Sequence, residues 1–266
     1  MFKFSDLFKL RGKLPKNIAL IIEIAGILLL LGMWSLITAL EMVPRSILPS
    51  PWKVLLAFGE LWKAGIIYDV IYSLKINFLG YIEAVVIAIP VGFLIGLFPL
   101  FRSMFSKSID SLRYIPLTAV TGLFIAWFGI EDNMKIQFLA FGILVYLLPV
   151  VVQRIDEVED VYLQTVFTLG ANKWQTIKSV YFPSVISRLS DDIRVLVAIS
   201  WTYIIVTEMI NVSQGVGAMA YLSARQSRID KVFAILIIII LIGIVQDKLF
   251  FWLDKIIFPH KYQTKK

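Results

Sequence analysis

Apolar residues gather into six long runs along this chain, at about 18–40, 69–97, 113–129, 134–152, 192–211 and 232–251. A helix that crosses the hydrocarbon core of a bilayer needs about 20 mostly apolar residues. The pattern therefore predicts an all-α polytopic membrane protein with six transmembrane helices. The first run is longer than the apolar region of a signal peptide and ends in Leu40-Glu41-Met42 rather than a small-residue cleavage site, so it reads as a retained span. Pro44, Pro49 and Pro51 break the chain after it, and a short surface helix is predicted from Trp52 to Leu61. The second run carries Pro90 and the pair Gly92 and Gly96, a spacing that lets two helices approach closely. Pro116 stands near the start of the third run. Polar stretches at 153–190 and 212–231 flank the fifth. Neither an internal inverted repeat nor a broken helix is visible in the pattern.

Composition agrees. The chain has 266 residues, 59% hydrophobic and 17% charged, with a mean hydropathy of +0.82. Soluble domains average about 45–50% apolar and about 25% charged. Disorder is excluded, and no length remains for a sizeable soluble domain. We expect a cytoplasmic N-terminal segment at 1–17, one membrane domain at 18–258 and a cytoplasmic tail at 259–266. The N-terminal segment alternates Lys3, Lys9, Arg11, Lys13 and Lys16 with apolar residues, as a short interfacial helix does.

The net charge of +7 follows from topology. Six spans put both termini on one side. The termini and the loops on their side hold 18 Lys and Arg, against 7 in the alternate loops. The positive-inside rule then makes both termini and the 153–190 segment cytoplasmic, in a cell (inner or plasma) membrane. No nucleic-acid role is needed to explain the charge.

Chemistry-bearing motifs are few. There is no cysteine, and the single histidine, His260, lies in the tail, so no metal or catalytic cluster forms. No phosphate-binding Gly-x-x-x-x-Gly-Lys loop occurs, and no Gly-x-Ser-x-Gly or His-Glu-x-x-His. The chain reads as a non-enzyme that carries no cofactor of its own. Its informative segment is Tyr162 to Pro183: two short amphipathic helices, hinged at Gly170 and stopped at Pro183. The residues alone suit either a docking element for a cytoplasmic partner or an amphipathic loop lying on the membrane.

This segment resembles the coupling loop of ABC importer permeases, which reads Glu-Ala-Ala-x3-Gly-x9-Ile-x-Leu-Pro. Gly170 is followed by nine residues and then Val180, Tyr181, Phe182 and Pro183, so the glycine-to-proline register matches. Gln164, Thr165 and Val166 stand where the family has Glu-Ala-Ala. Ile47-Leu-Pro-Ser-Pro51, Arg113-Tyr-Ile-Pro116 leading to Trp127-Phe-Gly129, Leu169-Gly-Ala-Asn-Lys-Trp174 and Ala224-Arg-Gln226 are similar to the nitrate/sulfonate/taurine branch. The resemblance covers about residues 45–255. It implies the type I importer permease fold and two permease subunits forming the pore. Two cytoplasmic subunits would bind ATP and Mg, and an external binding protein would deliver solute. The loop would dock an ATPase through Gln164, Thr165, Val166, Leu169, Gly170, Ala171, Val180, Phe182 and Pro183. The branch includes importers of small anions (sulfonate, taurine, nitrate, bicarbonate) and of vitamin precursors (thiamine pyrimidine, riboflavin). A stand-alone secondary transporter or channel is the alternative from another class.

Glu23, Lys75, Glu83 and Glu208 fall within predicted spans. Such charges are costly and point to function or to a partner. Glu23 and Lys75 lie near span ends, where they reach the interface. Glu83 either bonds a neighbouring helix or faces the pathway. Glu208 either takes a structural partner, Arg225 being one candidate, or serves the pore. Ser200, Tyr203, Thr207 and Asn211 form one helical stripe, and Tyr114, Thr118 and Thr121 form another. We expect Thr118, Thr121, Ser200, Tyr203, Thr207 and Glu208 to line the translocation cavity. These stripes carry no basic residue, and hydroxyls alone would bind a small anion weakly.

Overall fold

The computed structural model describes residues 8–12 and 14–262, and all regular elements among them are helical. In chain order the α-helices are α1 (Lys16–Ala39), α2 (Pro51–Lys63), α3 (Ile66–Leu97), α4 (Pro99–Leu112), α5 (Leu117–Phe128), α6 (Asp132–Asp156), α7 (Asp160–Thr168), α8 (Lys173–Thr176), α9 (Phe182–Ile210), α10 (Val216–Arg225) and α11 (Ile229–Ile257). A π-helical turn, Ile177–Tyr181, joins α8 to α9. Of the interfacial helix expected over 1–17, residues 1–7 and 13 lie outside the described residues, and 8–12 form no α-helix.

Five stretches are long and apolar enough to cross a membrane: α1, α3, α6, Lys173–Ile210 and α11. The sixth is a broken pair, α4 and α5, bent by 106°. This corrects the third expected span. The 12 residues of α5 reach about 18 Å, short of the roughly 30 Å hydrocarbon core. Pro116 is the cause: it donates no N–H and drives the preceding residue out of helical geometry.

A second correction concerns Pro183, which does not stop a helix. The N–H of Phe182 bonds the carbonyl of Ile177, five residues back. The widened turn takes up the proline ring and the missing N–H, and the helix continues to Ile210.

The chain divides into two compact units. One comprises residues up to 64 together with 223–234, the other 65–222 with 235–266. In the first unit, α2 starts at Pro51 under the Ser50 cap and buries Val54, Ala57 and Leu61, one face at helical spacing. The Trp34 indole N–H donates to the Pro49 carbonyl at 3.0 Å, and its ring packs on Phe233. Arg228 bridges Glu60 and Asp230, both at 2.8 Å. Arg228 and Lys231 hold the Glu60 carboxyl below the usual glutamate range. Along α1 only Thr38 is buried, so its apolar surface requires lipid or a partner chain.

In the second unit the core lies between α3, α6 and α9. It is built on Ala84, Ala88, Ile143, Leu147, Val151, Val185 and Leu189. Glycines set the α3–α6 distance. A Cβ at Gly92 would stand 2.5 Å from Val151 Cγ1, and one at Gly96 2.5 Å from Ile155 Cδ1. The expected small-residue seam is therefore a true close approach. Towards one end of the bundle, Arg154 forks onto both carboxylate oxygens of Asp192 at 2.7 Å, tying α6 to α9. Glu83 accepts a hydrogen bond from Gln137 of α6 at 3.0 Å, while Glu23 and Lys75 are exposed. His260 sits 3.0 Å from the Ser187 hydroxyl, a contact that pins the tail, and no metal-binding group exists among the described residues.

Candidate functional site

The 160–183 segment forms a hairpin whose corner two local devices fix. The first closes α7. Gly170 takes φ +75°, its N–H bonds the Phe167 carbonyl at 3.0 Å, and the N–H of Ala171 bonds the Val166 carbonyl at 3.0 Å. That pair of bonds is the Schellman arrangement, and glycine meets its left-handed requirement without strain. The second opens α8. The Asn172 carboxamide oxygen accepts from the Gln175 N–H at 2.9 Å, and the Gln175 side chain accepts from the Asn172 N–H at 2.8 Å. Asn172 and Gln175 were not among the expected residues, although an Asn followed three positions later by Gln is a legible capping signal.

The hairpin's residues divide by role. Val180 is buried and Val166 half-buried, both against the α3–α6–α9 core. Phe182 packs its ring 5.9 Å from that of Phe93. Gln164, Thr165 and Pro183 are exposed, and Ala171 is half-buried. No residue of α7 is buried. Leu169 is 81% exposed and Trp174 70%, so the corner presents bare apolar surface beside the hinge.

The structure splits the six residues expected to line a cavity. Ser200, Thr207 and Glu208 face no open space: each is fully buried within the chain. Ser200 donates to the Asn77 side-chain oxygen at 2.9 Å, and Thr207 donates to the Ile204 carbonyl at 2.8 Å. Glu208 accepts from the Ser73 hydroxyl at 2.6 Å and from the Gly217 N–H at 2.8 Å, a serine and an amide rather than a guanidinium. Ser73 in turn accepts from the Val216 N–H at 3.0 Å, and Asp69 accepts from the Gly215 N–H at 2.8 Å. The α9 stripe turned inward for partners on α3 and the 215–217 backbone. Helical spacing marks an inward face but does not say whether water or a helix stands there.

Thr118 and Tyr203 do meet, in a cavity of about 260 Å³ where α5, α6 and α9 converge. Tyr114, Tyr146, Thr202 and Arg113 also line it. Thr121, half-buried on α5, is not part of its wall. Arg113 is the residue that the polar stripes did not reveal. A larger hollow of about 530 Å³ lies in the other unit, but two of its arginines are already paired, Arg45 with Glu41 and Arg228 with Glu60 and Asp230.

Comparison with known proteins gives this geometry a family. The chain is 30% identical to the putative aliphatic sulfonates transport permease protein SsuC of Bacillus subtilis, over 82% of this chain and 79% of that one. It is 24% identical to the taurine transport system permease protein TauC of Escherichia coli, over 90% and 89%. Among solved structures it is similar to an amino acid ABC transporter with histidines, at a TM-score of 0.55 and 20% identity over 74% of this chain and 94% of that one. That last likeness speaks to the fold alone. Residues 88–258 match the family described as binding-protein-dependent transport system inner membrane component. The chain therefore belongs to this family and is the permease of an ABC importer.

Proposed function

We propose that this permease imports a small organic anion of the sulfonate kind, driven by ATP hydrolysis in separate subunits. The hairpin at 160–183 carries the coupling reading. Its corner is rigid, because a Schellman motif and a capping box fix both sides of Gly170, and it is adhesive, because Leu169 and Trp174 stand bare. A rigid knob with exposed apolar side chains transmits force when seated in a cleft. The cleft belongs to an ATP-binding subunit, and two permease chains, each docking one such subunit, form the pore. Closure of the ATPase pair on ATP pulls the two knobs and drives alternating access. An external binding protein delivers the solute. Both termini and the hairpin lie in the cytoplasm, as the distribution of basic residues indicates.

The substrate class is supported by the named relatives, a sulfonate permease and a taurine permease. The test is uptake of labelled ethanesulfonate by membrane vesicles carrying this chain with its co-purifying ATPase and binding protein. ATP-dependent accumulation supports the reading. Absence of uptake, with rapid uptake of a pyrimidine or flavin instead, would overturn the anion assignment.

A further inference from the structure

We propose that Arg113 is the oxyanion-recognising residue of the translocation path, presented at the cytoplasmic mouth of that path by the break between α4 and α5. This rests on the anion-import reading above. The cavity at the break is lined by Arg113, Tyr114, Thr118, Tyr146, Thr202 and Tyr203. Its depth follows from two helices. Tyr146 precedes the end of α6 at Asp156 by ten residues, about 15 Å. Tyr203 precedes the end of α9 at Ile210 by seven residues, about 10 Å. The inner wall of the cavity therefore lies well inside the bundle, while Arg113 stands at its rim, where it also lines a hollow with Gln153 and Asp156 at the end of α6.

At that rim the guanidinium keeps contact with water while lining the cavity, so its charge is not buried at a cost. Arg113 is partly paired. Its Nη2 donates to the Asp110 carboxylate at 2.8 Å and its Nε to the Asp110 carbonyl at 3.2 Å. The pair is not sealed, since the two side chains are 45% and 58% exposed. A guanidinium carries five N–H donors, so two bonds to Asp110 leave three for a ligand. The break is what presents it. Pro116 ends regular helix before α5, and the two helices part at 106°, turning the Arg113–Pro116 elbow into the cavity wall. The Thr118 hydroxyl stands one position beyond the first residue of α5, on the same wall.

The chemistry matches a sulfonate. The planar fork takes two of the three oxygens, and the neighbouring Tyr and Thr hydroxyls reach the third. Asp110 competes for the same guanidinium, so the bound anion is held loosely and can leave, which a transport path requires. A cation meets repulsion from Arg113, and a neutral solute forfeits the charge-assisted bonds. The cavity of hydroxyls alone that the stripes suggested thus gains its one cationic group.

The test uses the assembled complex and labelled ethanesulfonate. Arg113→Gln should raise the KM for uptake at least tenfold while membrane level and ATPase co-purification stay normal. Arg113→Lys, which keeps the charge but not the fork, should fall between. Arg113→Gln with a wild-type KM overturns the proposal. If Arg113→Gln fails to assemble, Arg113→Lys decides: an assembled complex with a raised KM supports the assignment, and one with a wild-type KM overturns it. A wild-type complex that takes up no ethanesulfonate defeats the anion-import reading itself and this proposal with it, so the two failures are told apart by the wild-type control.

Discussion

The carboxylate of Glu208 occupies the space in which a side chain at Gly215 would stand. A Cβ on Gly215 would lie 2.2 Å from Glu208 Cδ, and Gly215 also holds φ +115°. Gly217, whose N–H bonds that carboxylate, has no room either: its Cβ would meet the Ile205 carbonyl oxygen at 2.8 Å. Glu208 thus acts as a buried clamp that draws the 215–217 backbone against α9 and α3. Gly215→Ala should destabilise the protein by at least about 2 kcal/mol, from backbone strain and the clash together. Glu208→Ala should cost about 2–4 kcal/mol, because the Gly217 N–H and the Ser73 hydroxyl lose a buried acceptor. Glu208→Gln keeps an acceptor for Gly217 and should cost less than Glu208→Ala. Thermal midpoints of the purified protein in detergent give the order, and equal midpoints for Gln and Ala would refute the clamp.

The clamp also shows where the sequence was legible and where it was not. Apolar run length located α1, α3, α6 and α11, because lipid imposes its thickness on the chain directly. The seam at Gly92 and Gly96 was legible for a similar reason: a four-residue spacing of the smallest residue has few uses inside a membrane. Run length failed at 113–129, because it counts the non-helical residues 113–116 into the span and leaves α5 only 12 residues, a break that only Pro116 signals. Pro183 misled in the opposite sense, since a π turn lets the helix pass through it. The stripe of Ser200 and Thr207 gave the correct face of α9 and the wrong neighbour, because the partners Asn77, Ser73 and Gly217 come from distant parts of the chain. Arg113 shows in the sequence only as part of a motif and of the basic count, and its membership of the cavity depends on an angle between two helices that no linear pattern encodes.

Gly170 gives a cleaner substitution than most glycines, since nothing lies within 4 Å of the place its Cβ would take. The only penalty on a side chain there is φ +75°, about 1–3 kcal/mol for a β-branched residue and much less for asparagine. Gly170→Val should therefore reshape the corner without disturbing the bundle. ATPase co-purification and uptake should fall at least tenfold, while Gly170→Asn keeps most of both. Pull-down of the ATPase from detergent extracts reads the first, vesicle uptake the second. Full association of Gly170→Val would remove the hairpin from the coupling role.

Glu157 lends its end of the bundle a pH dependence of known sign. Arg154 donates to its carboxylate at 2.6 Å and holds its pKa below the usual glutamate range. A carboxylate whose folded pKa is depressed adds stability above its unfolded pKa and loses it as the pH falls through the folded value. Stability should therefore decline as the pH drops below about 4.3, the ordinary glutamate value. Glu157→Gln should flatten part of that decline and change little at pH 7, because the group is partly exposed and its pairing is screened. Thermal midpoints of the two proteins across the acid range test it. A wild-type midpoint that rises on acidification, or a steeper fall in Glu157→Gln, contradicts the sign.

The orientation of the chain can be read with single cysteines, since the protein has none of its own. Accessible positions must be chosen from the structure. Ala57 faces the proposed outer side but is 1% exposed, so a cysteine there would not react whichever side it faced. Ala64 and Gln214 are exposed and belong to the loops with 7 basic residues, whereas Lys178 is exposed and belongs to the group with 18. Basic residues near span ends are retained on the cytoplasmic side. In intact cells an impermeant thiol reagent should therefore label Ala64→Cys and Gln214→Cys and leave Lys178→Cys unmodified. After the membrane is opened, Lys178→Cys should react as well, which shows that its silence came from the bilayer and not from burial. Lys178 also lies in the π turn within the hairpin, so added ATPase should slow its labelling in opened membranes if the hairpin docks there. Labelling of Lys178→Cys in sealed cells, with Ala64→Cys and Gln214→Cys protected, would invert the topology and place the hairpin where no ATPase can reach it.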